Sequence, residues 1–132
     1  MLRGMVGRAA GGELGSEESR ALLLAAALAR LVYVHRALPA VAPVVPVADG
    51  GCLVFAAPAG SEVATAAPGS VVALHADDLH GDGGWAVTAT GLAELVAPEE
   101  EPELRRRAGE AWGPYDVLLR LPLEVVRGQR LG

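Results

Sequence analysis

Apolar and polar positions alternate with a period of two over much of the chain, which is typical of half-buried β-strands. Near residue 31, for example, Val32 and Val34 alternate with Tyr33 and His35. The pattern predicts strands at residues 31–35, 40–48, 52–57, 71–76, 85–96 and 115–121, and a short edge strand at 125–130.

Glycine and proline divide these segments. Asp49-Gly50-Gly51 predicts a tight hairpin, because glycine adopts the positive φ that such turns require. Pro43 and Pro46 cannot donate ladder hydrogen bonds, so the second strand is expected at a sheet edge or beside a bulge. Residues 36–39 are predicted to turn the chain, and residues 77–84 to form a loop.

Three segments favour helix. The first is predicted from Ser16, as N-cap, to about residue 29, with Glu17 and Glu18 in its first turn. A short helix is expected near residues 62–67, and residues 98–112 are expected to be partly helical, with Pro102 resetting the start. Residues 1–15 contain five glycines and are predicted to be a flexible arm, which leaves 16–132 as a single domain.

Many short strands with tight turns and few helices indicate a mainly β protein, an antiparallel barrel with two or three short helices. A chain of 132 residues fits one core.

The net charge of −5 argues against a nucleic-acid partner. All eleven basic residues are arginine, which we interpret as the codon bias of a GC-rich bacterial genome.

The expected location is the cytoplasm. A single cysteine, Cys52, excludes an intramolecular disulfide, and its apolar strand favours a small buried side chain. The apolar run at residues 21–29 is too short to span a membrane. It leads directly into a strand pattern, unlike a signal peptide.

Two motifs suggest chemistry but have simpler interpretations. His75, Asp77, Asp78 and His80 have side chains that bind divalent metals, yet an acidic segment of this kind is more often a solvated turn, and no metal site is predicted. The glycine-rich run at residues 81–84 lacks the following helix of a phosphate-binding loop and is expected to be a hairpin.

The order of elements carries the most specific signal. From residue 29 onward the segments are ARLVYV, PAVAPVVPVADGGCLVF, AAPAGS, VVALHADDL and GWAVTATGLAELV, closed by RLPLEVVRGQR. In order, spacing and total length they resemble the pyridoxamine 5'-phosphate oxidase-like flavin-binding proteins, including actinobacterial nitroimidazole-resistance-type members. The resemblance covers residues 16–130, nearly the whole domain.

This resemblance implies a split β-barrel that forms a homodimer with two flavin sites at the subunit interface. It implies an oxidoreductase that uses FMN or a related deazaflavin, with an unknown substrate and no catalytic side-chain triad, because the cofactor carries the chemistry. By position in the family pattern, the residues expected at the cofactor are Pro46, Val47, Ala56, Ala57, Ser61, Glu62, Thr65 and Trp85.

Glu62 departs from the family pattern, which commonly has a basic residue at this point. A carboxylate there repels a phosphate, although Ser61, Thr65 and Arg36 are possible compensating donors. The departure leaves a second hypothesis open: a cofactor-free split barrel whose interface pocket binds or converts a small apolar metabolite. In that case Glu62 and His75 become the side chains of interest.

Overall fold

The computed structural model describes residues 12–131, which form two antiparallel sheets and three helices. The helices are α1 (Ser16–Leu24), α2 (Glu62–Ala66) and α3 (Glu101–Ala108), the last flanked by 3-10 turns at Pro98–Glu100 and Gly109–Ala111. The strands are β1 (Glu13–Leu14), β2 (Ala29–His35), β3 (Leu38–Val44), β4 (Val47–Asp49), β5 (Cys52–Ala57), β6 (Val71–His80), β7 (Gly83–Leu92), β8 (Glu94–Leu95), β9 (Val117–Pro122) and β10 (Val125–Leu131).

The two sheets do not close into one cylinder, so the architecture is a split barrel, as the sequence predicts. The larger sheet has the order β1-β10-β7-β6-β2-β3, and the smaller has the order β4-β5-β9-β8. Within residues 12–131 the chain crosses between them four times, at residues 45–46, 58–70, 93 and 123–124. β3, which carries Pro43, is an edge strand, which confirms the expectation from its prolines.

One core fills the space between the sheets. Leu31 on β2, Leu53 and Phe55 on β5, and Leu74 on β6 are fully buried there. A second cluster lies on the other face of β5 and β9, where Val54 and Leu118 pack against Leu104 of α3. β5 is therefore largely buried on both faces, next to the site described below.

Trp112 also belongs to this second cluster. Its side chain is buried, and its indole Nε1 donates to the carbonyl oxygen of Val45 at 2.8 Å. Trp112 therefore fixes the point at which the chain leaves β3 for β4.

The Asp49-Gly50-Gly51 hairpin is confirmed. Asp49 pairs with Cys52 across a two-residue turn, and Gly50 has φ of +62°. That conformation is strained for residues with a Cβ and explains why glycine stands there.

Several boundaries differ from the sequence predictions. The predicted N-cap and the predicted end of the first helix were both wrong: Gly15 is the N-cap, and α1 ends at Leu24. The helix cannot extend to residue 29, because Ala29 already pairs with β3, opposite Val44. Tertiary strand pairing here overrides the helix propensity of alanine and leucine.

The loop predicted at residues 77–84 was also wrong. Asp77 through His80 continue β6 and pair with β7, which leaves only Gly81 and Asp82 in the turn. Gly84 makes this pairing possible, because a Cβ on that residue would collide with the carbonyl oxygen of Asp78. The polar composition of this segment marks an exposed strand end rather than a loop.

The predicted long strand at residues 85–96 is instead two strands in different sheets. Ala93 interrupts it: this buried residue donates to the carbonyl of Ser70 and accepts from the amide of Gly69. The second strand, predicted at residues 40–48, is likewise divided between β3 and β4 by Val45–Pro46.

The ends of the chain complete the larger sheet. β10 was predicted to be an edge strand, but it lies between β7 and β1. Residues 1–11 of the expected arm lie outside the described residues. Within residues 12–131, no helix is long and apolar enough to cross a membrane.

Candidate functional site

A groove of about 280 Å³ opens where the edge of the larger sheet meets the end of β5 and the start of α2. We call it the Glu62 groove. Small apolar side chains leave the space, and Glu62 is the charged group at its rim. The lining residues are Tyr33, Ala42, Pro43, Val44, Ala56, Ala57, Pro58, Ser61, Glu62 and Val63.

The turn after β5 places Glu62 at this groove. Pro58 follows the last strand residue, and Gly60, with φ of +79°, reverses the chain. Ser61 then caps α2: its Oγ accepts from the amide of Ala64 at 3.2 Å. Glu62 is the first helical residue after this cap, so its position follows from the local turn and cap chemistry.

Two aromatic side chains from β2 hold the Glu62 carboxylate. The hydroxyl of Tyr33 donates to Oε1 at 2.8 Å, and Nε2 of His35 lies 3.7 Å from Oε2. Tyr33 is 6% exposed, whereas the Glu62 side chain is 48% exposed. The carboxylate is thus anchored from the protein side and remains accessible from the groove.

This contact changes the acidity of the tyrosine. The hydrogen bond to Glu62 raises the pKa of the Tyr33 hydroxyl, and desolvation and the negative charge of Glu62 act in the same direction. The neutral hydroxyl donates to the carboxylate, and ionising it would place two negative charges together.

The groove fits one part of a flavin and conflicts with another. Its apolar walls, from Ala42 to Val44 on one side and Ala56 to Pro58 on the other, suit a flat aromatic ring. The Ser61 hydroxyl and the Glu62 carboxylate suit hydroxyl groups. A phosphate is held most strongly by cationic groups, and none of the lining residues is an arginine or a lysine.

The groove brings together Ala56, Ala57, Ser61 and Glu62, half of the residues that the sequence singled out. The other four lie elsewhere. Pro46 and Val47 lie at the start of the smaller sheet, where Val47 packs beside the Trp112 cluster. The Thr65 hydroxyl donates to the carbonyl of Ser61 at 3.0 Å, and Trp85 packs against the main core. Their contact with a ligand stays a prediction.

Sequence reasoning missed six groove residues, which are Tyr33, Ala42, Pro43, Val44, Pro58 and Val63. The proximity of the β2 and β3 residues to Glu62 depends on how α2 packs against β2 and on the pairing of β2 with β3. The period-two pattern of β2 does contain one usable signal, since it places Tyr33 on the same face as Leu31, toward the core.

The other candidate cluster, around His75 and Asp77, makes its polar contacts within the protein. The Nδ1 atom of His75 lies 2.9 Å from Oγ1 of Thr88, and its Nε2 lies 2.9 Å from Oδ2 of Asp77. Asp77 also lies 3.8 Å from Arg30. Among residues 12–131, no three metal-binding side chains converge.

Comparison with known proteins identifies the family. The family model described as pyridoxamine 5'-phosphate oxidase matches residues 15–130. The chain belongs to the pyridoxamine 5'-phosphate oxidase family. It is also 31% identical over 128 residues to the uncharacterized protein Rv0080 of Mycobacterium tuberculosis, covering 90% of this chain and 84% of that one.

Two solved structures have the same fold. The FAD binding protein from Mycobacterium smegmatis matches with a TM-score of 0.76 and 26% identity, over 90% of this chain and 96% of that chain. A putative pyridoxamine 5'-phosphate oxidase from Corynebacterium glutamicum matches with a TM-score of 0.73 and 19% identity, over 91% and 92% of the two chains. At 19% identity, the second comparison supports the fold alone.

Proposed function

We propose that this member of the pyridoxamine 5'-phosphate oxidase family is a flavin-binding protein and that the Glu62 groove holds the flavin. The observation that carries the proposal is the groove itself, two apolar walls of small side chains with hydroxyl and carboxylate groups at one end. The similarity to a mycobacterial FAD binding protein supports it.

The residues divide into two roles. Ala42, Pro43 and Ala56 are placed to contact the flat faces of the ring, where apolar contact excludes water. The Ser61 hydroxyl and the Glu62 carboxylate are placed to contact the hydroxyl-bearing tail. A bound flavin or deazaflavin supplies hydride or electron transfer, so the proposed activity is that of an oxidoreductase.

The proposed setting is the cytoplasm, consistent with a chain that has one cysteine.

Quenching of flavin fluorescence on titration with the protein tests the proposal. Ala42→Phe fills the groove and should weaken riboflavin binding at least tenfold, roughly the effect of losing one apolar contact surface. Ala59→Phe is the matched control, because Ala59 is exposed in the neighbouring turn and does not line the groove. Absence of flavin binding by the unmodified protein would contradict the proposal and favour a cofactor-free pocket for a small apolar metabolite.

We further propose that the protein is a homodimer. The outer face of the larger sheet, away from the core, exposes large apolar side chains on five strands. They include Val34, Val41, Val71, Leu92 and Val125, each at least 45% exposed. Strand register and alternation place them on one face, where a contiguous apolar patch favours a protein contact. A second copy of the chain is the proposed partner.

Light scattering tests this second proposal. The unmodified protein should have twice the mass of one chain, and Val41→Asp should shift it toward the mass of one chain. Leu95→Asp is the control, since Leu95 is similarly exposed but lies on β8 of the smaller sheet. A monomeric unmodified protein at micromolar concentration would contradict the proposal.

A further inference from the structure

We infer that the Glu62 groove selects flavins by the charge of the tail, preferring an uncharged hydroxyl-bearing tail to one that ends in a phosphate monoester. The inference rests on the proposed function and concerns the same site. Its basis is that the groove presents a carboxylate, which repels the phosphate of FMN.

The carboxylate cannot readily move away from the groove. Its Oε1 accepts from Tyr33, whose ring is buried in the main core on β2. Its backbone is held by the Ser61 cap at the start of α2. Turning Glu62 toward solvent would leave the Tyr33 hydroxyl without this acceptor in a largely buried position, which costs free energy.

Among residues 12–131, no arginine forms an ion pair with Glu62. The basic group beside its carboxylate is the imidazole of His35, whose Nε2 lies 3.7 Å from Oε2. Arg36, a candidate compensating residue, lies exposed in the turn after β2 and does not line the groove. A phosphate placed here therefore meets net negative charge.

Hydroxyl groups, in contrast, can form favourable hydrogen bonds with Glu62. A carboxylate accepts several hydrogen bonds, and Glu62 is half exposed with one oxygen engaged by Tyr33. The hydroxyls of a ribityl chain can donate to the remaining positions, and the Ser61 hydroxyl can donate or accept. The same side chain that repels a phosphate thus favours a polyol.

The size of the effect follows from Coulomb's law. Two unit charges about 5 Å apart, with an effective dielectric constant between that of water and that of a protein surface, repel enough to change affinity by about tenfold or more. Riboflavin and FMN differ only in the phosphate, so the ratio of their dissociation constants isolates this term.

Fluorescence titration of both ligands at the same pH and ionic strength tests the inference. The unmodified protein should bind riboflavin about tenfold more tightly than FMN. Glu62→Gln keeps the size and one acceptor, and it should bring the ratio close to one by strengthening FMN binding. Glu62→Arg should reverse the preference. Glu99→Gln, which changes an exposed glutamate outside the groove, should leave the ratio unchanged.

The outcomes separate the two proposals. Equal affinity of the unmodified protein for both ligands, or a ratio that Glu62→Gln does not change, would overturn the inference and leave flavin binding intact. Absence of binding of either flavin to every variant would overturn the proposed function and the inference with it. Circular dichroism of each variant verifies that it is folded.

Discussion

Two carboxylates lie at opposite ends of the β5 region and have opposite surroundings. Asp49, in the hairpin before β5, accepts from Arg120 at 2.6 Å and from Arg107 at 2.9 Å. Glu62, in the turn after β5, accepts from a neutral tyrosine. The hydrogen bond from Arg120, followed by that from Arg107, lowers the pKa of Asp49.

The difference separates a structural carboxylate from one available to a ligand. Arg120 also donates to Glu100 at 2.7 Å, and Arg107 donates to the carbonyl of Ala48 at 2.8 Å. Asp49 therefore ties the hairpin to α3 and β9, and its charge is balanced within the protein. In the described part of the chain no arginine pairs with Glu62, which borders a cavity, so its charge acts on whatever enters the groove.

The largest expected effect is on stability at Asp49. Asp49→Asn removes the charge from two hydrogen bonds to arginine and should lower the free energy of unfolding by about 1.5 kcal/mol in urea titrations. The riboflavin-to-FMN affinity ratio should not change. Asp82→Asn is the control, because Asp82 is 98% exposed and should cost almost nothing.

The pH dependence of the unfolding free energy under acidic conditions should also depend on Asp49. Because folding lowers the pKa of Asp49, its contribution is present above the unfolded value of about 3.9 and is lost as pH falls through the lower folded value. The unfolding free energy of the Asn variant should therefore decrease less steeply below about pH 4 than that of the unmodified protein. Parallel curves would show that Asp49 is not ion-paired in solution.

A smaller effect is expected at Tyr33. Tyr33→Phe removes the donor to Glu62 and should lower the melting temperature by about 3–5 °C, the loss of one hydrogen bond in a domain of this size. Tyr115→Phe is the control, since Tyr115 is 86% exposed. An equal decrease in both variants would contradict the Tyr33–Glu62 contact.

At alkaline pH the stability contribution of Tyr33 changes in the opposite direction to that of Asp49, because it is lost as pH rises. Folding raises the pKa of Tyr33, so its contribution is complete below the unfolded value of about 10 and is lost as pH rises toward the folded value. The chain has two tyrosines, and absorbance of tyrosinate in the Tyr115→Phe variant reports Tyr33 alone. A transition at the ordinary tyrosine pKa would show that the hydroxyl does not contact Glu62.

The smallest stability effect is expected at Glu62. Glu62→Gln keeps an oxygen that accepts from Tyr33 and should change the free energy of unfolding by less than about 0.5 kcal/mol. A loss as large as that of Asp49→Asn would place Glu62 among the structural carboxylates.

The sequence predicted the fold better than the site, for a physical reason. Period-two patterns and turn residues are local, so β5 and the Asp49-Gly50-Gly51 hairpin were located correctly. The sheet changes at Val45–Pro46 and Ala93 depend on long-range pairing and were missed. Likewise, the negative charge of Glu62 is visible in the sequence, but its anchoring by Tyr33, 29 positions away, depends on the packing of α2 against β2.

The sign of the salt dependence of FMN binding is the most direct test of the central claim, that an unbalanced negative charge borders the groove. Salt screens repulsion, so raising the ionic strength from about 0.05 to 0.5 M should strengthen FMN binding. Riboflavin binding should be nearly constant over the same range. FMN binding that weakens with salt would instead show that a cation holds the phosphate, and would contradict the account.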